Sequence, residues 1–311
     1  MFSTIISALF PVFGLILLGW SFGRINFLGK SAFEVLNRLV ISVTLPVLTF
    51  RTLAHIQLTD TQVPVMALVV LGGAFAIYAV GFAVERLLGR NGVEANIAGL
   101  TSCFSNYGFV GLPVALIALG PESLAPVAVA TALYSSAVFG LAVLLSELNK
   151  PGGEVVVALK RAAYALSRSP LIVLAGAGIA WSAFNLPLTG PIDVLLETLA
   201  RATAPCALIA IGLFIALPRN AVAPLPIGRV IFLKLIGHPA ATAGVILLLP
   251  PLPPLWSATA ILMAAMPCGA SSFVLAGGSG RWAMELSAWS IALSTILAAV
   301  TLVPILLLLA R

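Results

Sequence analysis

About ten apolar runs, each near 20 residues long, alternate with short polar loops along this chain of 311 residues. An α-helix needs about 20 apolar residues to cross the roughly 30 Å hydrocarbon core of a bilayer. Only 8% of the residues are charged and 61% are hydrophobic, which excludes an ordinary soluble domain. We therefore predict an all-α membrane protein with ten transmembrane helices. They lie at about 4–22, 34–53, 63–88, 95–119, 124–146, 170–184, 192–216, 228–249, 256–276 and 284–309.

Basic residues are concentrated in the loops that follow odd-numbered runs. These residues are Arg24, Lys30, Arg38, Arg86, Arg90, Lys150, Lys160, Arg161, Arg168, Arg219 and Arg281. The other loops hold His55, Asp60, Glu122 and a proline cluster, and the strong bases near that side are Arg51 and the terminal Arg311. Because cytoplasmic loops carry the excess of Lys and Arg, we predict a multi-pass protein of the cytoplasmic (inner) membrane with both termini outside the cytoplasm. The net charge of +6 then reflects topology, and no nucleic-acid partner is expected.

An internal repeat emerges when the chain is shifted by 159 residues (170 − 11). The shift superimposes Pro11 on Pro170, Gly19 on Gly178, Asn26 on Asn185 and Pro46 on Pro205. Each repeat holds five spans, an odd number, so the two halves enter the membrane in opposite senses. We predict a first five-helix repeat over 1–146, a cytoplasmic linker over 147–169 and a second, inverted repeat over 170–311.

Proline and glycine interrupt spans 4 and 9 near their centres, in residues 105–113 and 266–272. A broken helix at this depth leaves backbone groups that protein, water or solute must satisfy. Broken helices at matching repeat positions are typical of the substrate site of secondary transporters. We predict that substrate is bound by Asn106, Tyr107, Gly108, Gly111, Pro113, Met266, Pro267, Gly269, Ser271 and Ser272.

The residue types in these interruptions favour an anion. Pro113 and Pro267 each suit the first turn of a half-helix, whose N-terminus carries a partial charge of about +0.5. The Asn106 amide can donate to a carboxylate, and the glycines allow the two backbones to approach closely. The alternative is that the prolines only kink packed helices and that Asn106 bonds a neighbouring backbone.

Further polar residues lie inside apolar runs. Tyr134, Ser135 and Ser294 are candidates for lining the same cavity, although hydroxyls in membrane helices commonly bond their own i−4 carbonyl. His238 is a candidate for proton coupling, since its side chain titrates near neutral pH; the alternative is a hydrogen-bonded core histidine.

Three charged residues also fall within the runs. Glu197 and Arg201, four residues apart, are expected to pair on one helix face. Lys234 lies about two turns into span 8, and we expect its amine to extend to the membrane surface.

The sequence argues against several other classes of protein. Spans 4, 5 and 9 hold no Asp or Glu near their centres, which disfavours a sodium site. No metal-ligand cluster, nucleophile with a nearby base, or P-loop is recognisable, so we predict no enzyme activity, metal or cofactor.

The chain resembles the auxin efflux carrier family. The resemblance rests on Asn106-x-Gly108-Phe109-x-Gly111-x-Pro113, on Met266-Pro267, on Leu45-Pro46 and on ten spans with outside termini. The brief linker resembles that of short bacterial members. The resemblance implies a fold related to bile-acid symporters, with a scaffold of helices 1, 2, 6 and 7 and a transport domain of helices 3–5 and 8–10. It also implies crossed helices 4 and 9, a homodimer through the scaffold, and organic anions such as auxin or malonate as substrates.

The sequence thus predicts a secondary transporter that moves a small organic anion, such as a carboxylate or auxin-like acid, by alternating access at the helix 4/9 crossover. Two alternatives remain: a sodium-coupled bile-acid-type symporter, and a non-transporting membrane sensor or assembly protein that retains the fold.

Cysteine labelling tests the orientation in a background without the three native cysteines. A membrane-impermeant maleimide applied from outside should label cysteines introduced at Asp60 or Glu122. It should not label cysteines at Lys150 or Arg219 until the membrane is opened, because basic loops stay in the cytoplasm. The reverse pattern would invert the predicted topology.

Overall fold

The computed structural model describes residues 2–29, 31–55, 62–149, 155–217, 223–269, 271–277 and 279–309, and these are almost entirely helical. The helices of the first half are α1 (Phe2–Arg24), α2 (Ala32–Leu39), α3 (Leu45–Ala54), α4 (Gln62–Leu87), α5 (Gly92–Cys103), α6 (Leu112–Leu119) and α7 (Leu124–Leu148). Those of the second half are α8 (Val155–Ser167), α9 (Pro170–Ala183), α10 (Gly190–Ala216), α11 (Pro224–Phe232), α12 (His238–Leu248), α13 (Pro254–Ala264), α14 (Ser271–Ala276) and α15 (Arg281–Leu309).

Three π-helical turns in the described residues each end two positions before a proline. They span Val40–Thr44, Tyr107–Gly111 and Leu233–Gly237, and they precede Pro46, Pro113 and Pro239. Proline has no N–H for the carbonyl four residues earlier, and its ring crowds that carbonyl. A widened turn relieves this crowding and lets the helix continue. The first turn joins α2 to α3 and the third joins α11 to α12, so each pair forms one long span.

Within the described ranges, six helical segments are long and apolar enough to cross a membrane: Ala32–Ala54, Gln62–Leu87, Pro121–Leu148, Gly190–Ala216, Pro224–Leu248 and Arg281–Leu309. The same ranges hold four shorter apolar helices, Phe10–Arg24, Tyr107–Leu119, Pro170–Ala183 and Pro254–Ala264. Each of these ten segments overlaps one of the ten predicted runs. They support an all-α, multi-pass membrane protein, while ten complete crossings in an inverted repeat stay a prediction.

The chain divides into two compact units. The first contains Met1–Val63, Tyr107–Ala132 and Ser167–Pro218, and the second contains Pro64–Asn106, Leu133–Leu166 and Arg219–Arg311. The predicted linker over 147–169 includes the 13-residue helix α8. The predicted repeat and domain boundaries are not tested by this division.

Two helix pairs build the first unit through close backbone contacts. α1 packs along α10, where Gly19 meets the backbone of Ile209. α3 packs along α9, where a Cβ on Gly178 would lie 2.6 Å from the carbonyl oxygen of Phe50. Only glycine permits such approach. Adding 159 to Gly19 gives Gly178, and subtracting 159 from Ile209 gives Phe50. The two contacts therefore occur at matching positions of the predicted repeat.

The ends of α1 and α9 have the same backbone geometry. Asn26 and Asn185 adopt left-handed backbone angles, with φ of 54° and 50°. The N–H of Phe27 donates to the carbonyl of Phe22 (2.9 Å), and the N–H of Leu186 donates to that of Trp181 (3.2 Å). Each is the six-residue hydrogen bond of a Schellman cap, and both caps occur at positions 159 residues apart.

Ion pairs join α3 to α10 in the first unit. Arg51 donates to Asp193 (2.6 Å) and to Glu197 (3.3 Å). Glu197 also accepts from Arg201, which confirms the predicted pair on one helix face. The charges on α10 are thereby compensated within the protein.

The second unit contains a buried ion pair and a buried amide. Glu85 of α4, almost fully buried, accepts two hydrogen bonds from Arg229 of α11 (3.0 and 2.6 Å). Asn96 of α5 donates to the Ala142 carbonyl (2.9 Å) and to the Ser146 hydroxyl (2.7 Å) of α7. These bonds fix α4 relative to α11, and α5 relative to α7.

The glycine contact between α3 and α9 predicts a stability difference between two alanine variants. In Gly178→Ala the new methyl group meets the Phe50 carbonyl, and overpacking of this kind costs about 1–3 kcal/mol. Gly176→Ala, on the same helix with no atom within 4 Å of the new methyl, is the matched control. Thermal unfolding in detergent should show a lower Tm for Gly178→Ala than for Gly176→Ala. Equal values would contradict the close contact.

Candidate functional site

The two interrupted segments meet in the second unit. After α5 the chain is extended at residues 104–106, and after α13 it is non-helical at residues 265–269. Ser105 and Cys268 form an isolated antiparallel bridge. The N–H of Asn106 donates to the Pro267 carbonyl (2.8 Å), and the N–H of Gly269 donates to the Phe104 carbonyl (2.7 Å). Each interruption thus satisfies backbone groups of the other, as the interior of a membrane demands.

A hydroxyl from a neighbouring helix completes each side of this bridge. The N–H of Ser105 donates to the Tyr134 hydroxyl (3.0 Å), which itself donates to the Cys103 carbonyl. The N–H of Cys268 donates to the Ser294 hydroxyl (3.0 Å). Tyr134 and Ser294, predicted as cavity-lining residues, therefore bond the interrupted backbone; the side chain of Ser135 lies outside the described ones.

Glycine is required at one of the predicted close approaches. A Cβ on Gly269 would lie 2.8 Å from the Phe104 ring and 3.0 Å from the Ser105 carbonyl. The expectation that Gly269 lets the two backbones approach is confirmed. Gly108 instead lies against a side chain of its own unit, since a Cβ there would be 2.6 Å from Leu45.

Pro113 lies in the first turn of a helix, as the sequence suggested, whereas Pro267 does not. Helical backbone resumes at Tyr107 in a π turn, and Pro113 is the second residue of α6. Pro267 lies in the non-helical connection, before the six-residue helix α14 begins at Ser271. The expectation is wrong for Pro267 because its carbonyl is needed in the bridge, which requires an extended backbone at that point.

The predicted site residues are divided between the units. The second unit holds Asn106, Tyr134, His238, Met266, Pro267, Gly269, Ser271, Ser272 and Ser294, and the first holds Tyr107, Gly108, Gly111 and Pro113. Asn106 is 3% exposed. The Ser272 hydroxyl donates to the Gly269 carbonyl three residues earlier (3.0 Å), so it serves its own backbone.

Lys234 is the main difference from the sequence-based expectation. Its side chain is fully buried, and its amine donates to the carbonyl of Ala264 (2.6 Å). The expectation that Lys234 extends to the membrane surface is therefore wrong. Ala264 is the last residue of α13, where unpaired carbonyls and the negative end of the helix dipole attract a cation.

His238 contacts both Lys234 and the bridge. Its Nδ1 lies 3.1 Å from Lys234 Nζ and 3.4 Å from Ser105 Oγ, and its ring stacks on Tyr134 with centroids 6.2 Å apart. An ammonium can only donate, so Nδ1 accepts and the proton of the neutral ring is on Nε2. Nε2 is buried and has no hydrogen-bond partner among the described residues.

No carboxylate among the described residues pairs with the Lys234 ammonium. The buried Glu85 is bonded to Arg229. A buried charge without a counterion is expensive, because it has lost its hydration and gained only dipoles in return. The surroundings of Lys234 are therefore suited to receive an anion.

Comparison with known proteins identifies the family of this chain. A family model described as "Membrane transport protein" matches residues 4–306. The chain belongs to this family. The chain is also 31% identical over 299 residues to a Rhizobium meliloti protein named "Putative malonate transporter", with 94% of the chain and 91% of that protein covered. A Methanothermobacter thermautotrophicus protein named "Uncharacterized transporter" is 29% identical over 212 residues, which cover 64% of each chain.

The family membership confirms the resemblance to auxin efflux carriers and identifies the protein as a membrane transporter rather than an enzyme. The sequence analysis did not assign Lys234 or Ser105 to the site, although both side chains contact His238. The spacing of Lys234 and His238, four residues apart in an apolar run, was the available signal, since such residues share a helix face.

The bond between Tyr134 and the bridge predicts a loss of stability in Tyr134→Phe. This variant leaves the N–H of Ser105 and the carbonyl of Cys103 without the hydroxyl, at a cost of about 1–3 kcal/mol. Tyr164→Phe, in the exposed part of α8, is the matched control. Thermal unfolding should give a lower Tm for Tyr134→Phe alone; identical values for both variants would show that the hydroxyl does not support the bridge.

Proposed function

We propose that this transporter carries a small organic anion, such as a carboxylate or auxin-like acid, across the cytoplasmic membrane by alternating access at the paired interruptions of spans 4 and 9. One observation carries the proposal: a buried ammonium without a described carboxylate partner lies beside two interrupted helices that bond each other. Such a position favours a negatively charged solute over a neutral or cationic one.

The chemistry around the bridge supports a carboxylate in particular. Lys234 offers a full positive charge, and His238 offers an N–H that has no acceptor among the described residues. Charge-assisted hydrogen bonds from such donors suit carboxylate oxygens. Malonate is a reasonable first ligand, because the relative from Rhizobium meliloti carries that substrate in its name.

Two pairs of contacts at positions 159 residues apart support an inverted repeat. These are the caps at Asn26 and Asn185 and the glycine contacts of Gly19 and Gly178. In addition, an N–H of each interruption donates to a hydroxyl of a neighbouring helix, Ser105 to Tyr134 and Cys268 to Ser294. Inverted repeats provide two equivalent arrangements of one protein, open to opposite sides. We infer ten spans with termini outside, a scaffold of helices 1, 2, 6 and 7 that also forms a homodimer, and a transport domain of helices 3–5 and 8–10.

Replacing Asn106 tests the site. In proteoliposomes, Asn106→Ala should lose most uptake of radiolabelled malonate while its Tm and membrane insertion stay close to wild type, because the amide is expected to contact the substrate. Asn149→Ala, at the exposed end of α7, is the matched control and should transport normally.

Uptake by Asn106→Ala equal to that of the control would remove Asn106 from the site.

The same assay with and without a sodium gradient separates an anion carrier from a sodium symporter. A thermal-shift screen of organic acids tests the class itself, since a protein that no acid stabilises would favour a sensor or assembly role.

A further inference from the structure

Lys234 and His238 lie near the middle of a membrane span. Lys234 is ten residues from the start of Pro224–Leu248, which corresponds to about 15 Å, or half of the roughly 30 Å hydrocarbon core. The π turn Leu233–Gly237 joins the two residues, and both are 0% exposed. A charge at this depth is rarely kept without a functional reason.

The contact between the two side chains limits them to one positive charge in the absence of an anion. The Nζ to Nδ1 distance of 3.1 Å is a hydrogen bond only when one of the two groups is neutral, and with Lys234 as the ammonium the neutral group is the imidazole. A proton added to His238 would place a second positive charge beside the first in a medium of low dielectric constant. Both charges can coexist only when negative charge is close by.

Among the described residues, the groups that face the pair from the packed elements are dipolar or neutral. They are the Ser105 hydroxyl and Cys103 thiol from the α5 side, the Ala264 carbonyl and Cys268 thiol from the α13 side, and the Tyr134 ring from α7. On the helices packed against the π turn, Arg229 is paired with Glu85. Glu285 of α15 lies nine residues before Ser294, about 13 Å along the helix from the bridge.

Ser105 can serve both protonation states of His238. When the ring is neutral, Lys234 occupies the lone pair of Nδ1 and the Ser105 hydroxyl donates to the Ala264 carbonyl (3.4 Å). When the ring is charged, the same hydroxyl can accept from Nδ1–H, because a hydroxyl is both donor and acceptor. Lys234 keeps its bond to the Ala264 carbonyl in either state. The site therefore tolerates a proton on His238 without a new protein partner, provided that an anion supplies the charge.

We propose that the Lys234–His238 pair matches the charge of the cargo: Lys234 provides one resident positive charge for a carboxylate, and His238 takes up one proton from water when the cargo carries a second. A dicarboxylate then crosses with one proton, which leaves His238 when the cargo is released, whereas a monocarboxylate crosses with none. This inference rests on the proposed function as an organic-anion carrier.

Proton uptake on binding tests the pair directly. Calorimetric titration of the purified full-length transporter in two buffers of different ionisation enthalpy counts the protons taken up per ligand bound. At about pH 7.5 malonate is a dianion and monomethyl malonate a monoanion. Wild type should take up about one proton with malonate and about none with monomethyl malonate.

Variants separate the two residues. His238→Gln should bind malonate at least about tenfold more weakly and without proton uptake, and it should lose less affinity for monomethyl malonate, which needs no second positive charge. Lys234→Met should lose about tenfold or more in affinity for both ligands. Lys234→Arg, which keeps the charge, should retain proton uptake and guards against a folding defect in Lys234→Met. His55→Gln and Lys160→Met, at exposed positions, are matched controls that should behave as wild type.

The outcomes distinguish this inference from the function on which it rests. Malonate binding without proton uptake, or proton uptake that persists in His238→Gln, would overturn the role of the pair and leave the anion carrier standing. Failure of both ligands to bind wild type would overturn the carrier proposal as well.

Discussion

The absence of water inside a bilayer is the constraint on which this structure depends, because every backbone N–H and carbonyl at that depth needs a partner within the protein. Two spans violate helical geometry near their centres, and the antiparallel bridge between Ser105 and Cys268 lets each supply bonds that the other lacks. Tyr134 and Ser294 bond the same backbone from neighbouring helices. An interruption that would be unstable alone is therefore stable as a pair.

The same interruption explains the buried charge. Because α13 ends at Ala264 inside the protein, its last carbonyls face no continuing helix, and the Lys234 ammonium bonds one of them. His238 accepts from that ammonium and reaches the Ser105 hydroxyl. One polar cluster in apolar surroundings thus contains the end of α13, the Lys234 cation and the paired backbone of the bridge. This cluster gives a physical reason for an anion to enter.

Much of the fold could be predicted from the sequence, since apolar runs, repeat matches and the Glu197–Arg201 spacing all depend on local pattern. Proline and glycine within spans 4 and 9 also located the interruptions and the close backbone approach at Gly269. The burial of Lys234 could not be predicted in this way. A lysine two turns into a span can extend to the membrane surface, and only its bond to the Ala264 carbonyl, on a distant segment of the chain, decides its burial. The extended backbone at Pro267 likewise depends on pairing with a segment far away in the chain, which local rules do not contain.

A density map of the transporter in lipid with malonate bound tests the central claim that the paired interruptions and Lys234 form the anion site. The account predicts malonate density beside the Ser105–Cys268 bridge, with a carboxylate oxygen at hydrogen-bond distance, about 3 Å, from Lys234 Nζ. Malonate density remote from the bridge, with Lys234 still bonded only to protein groups, would contradict it.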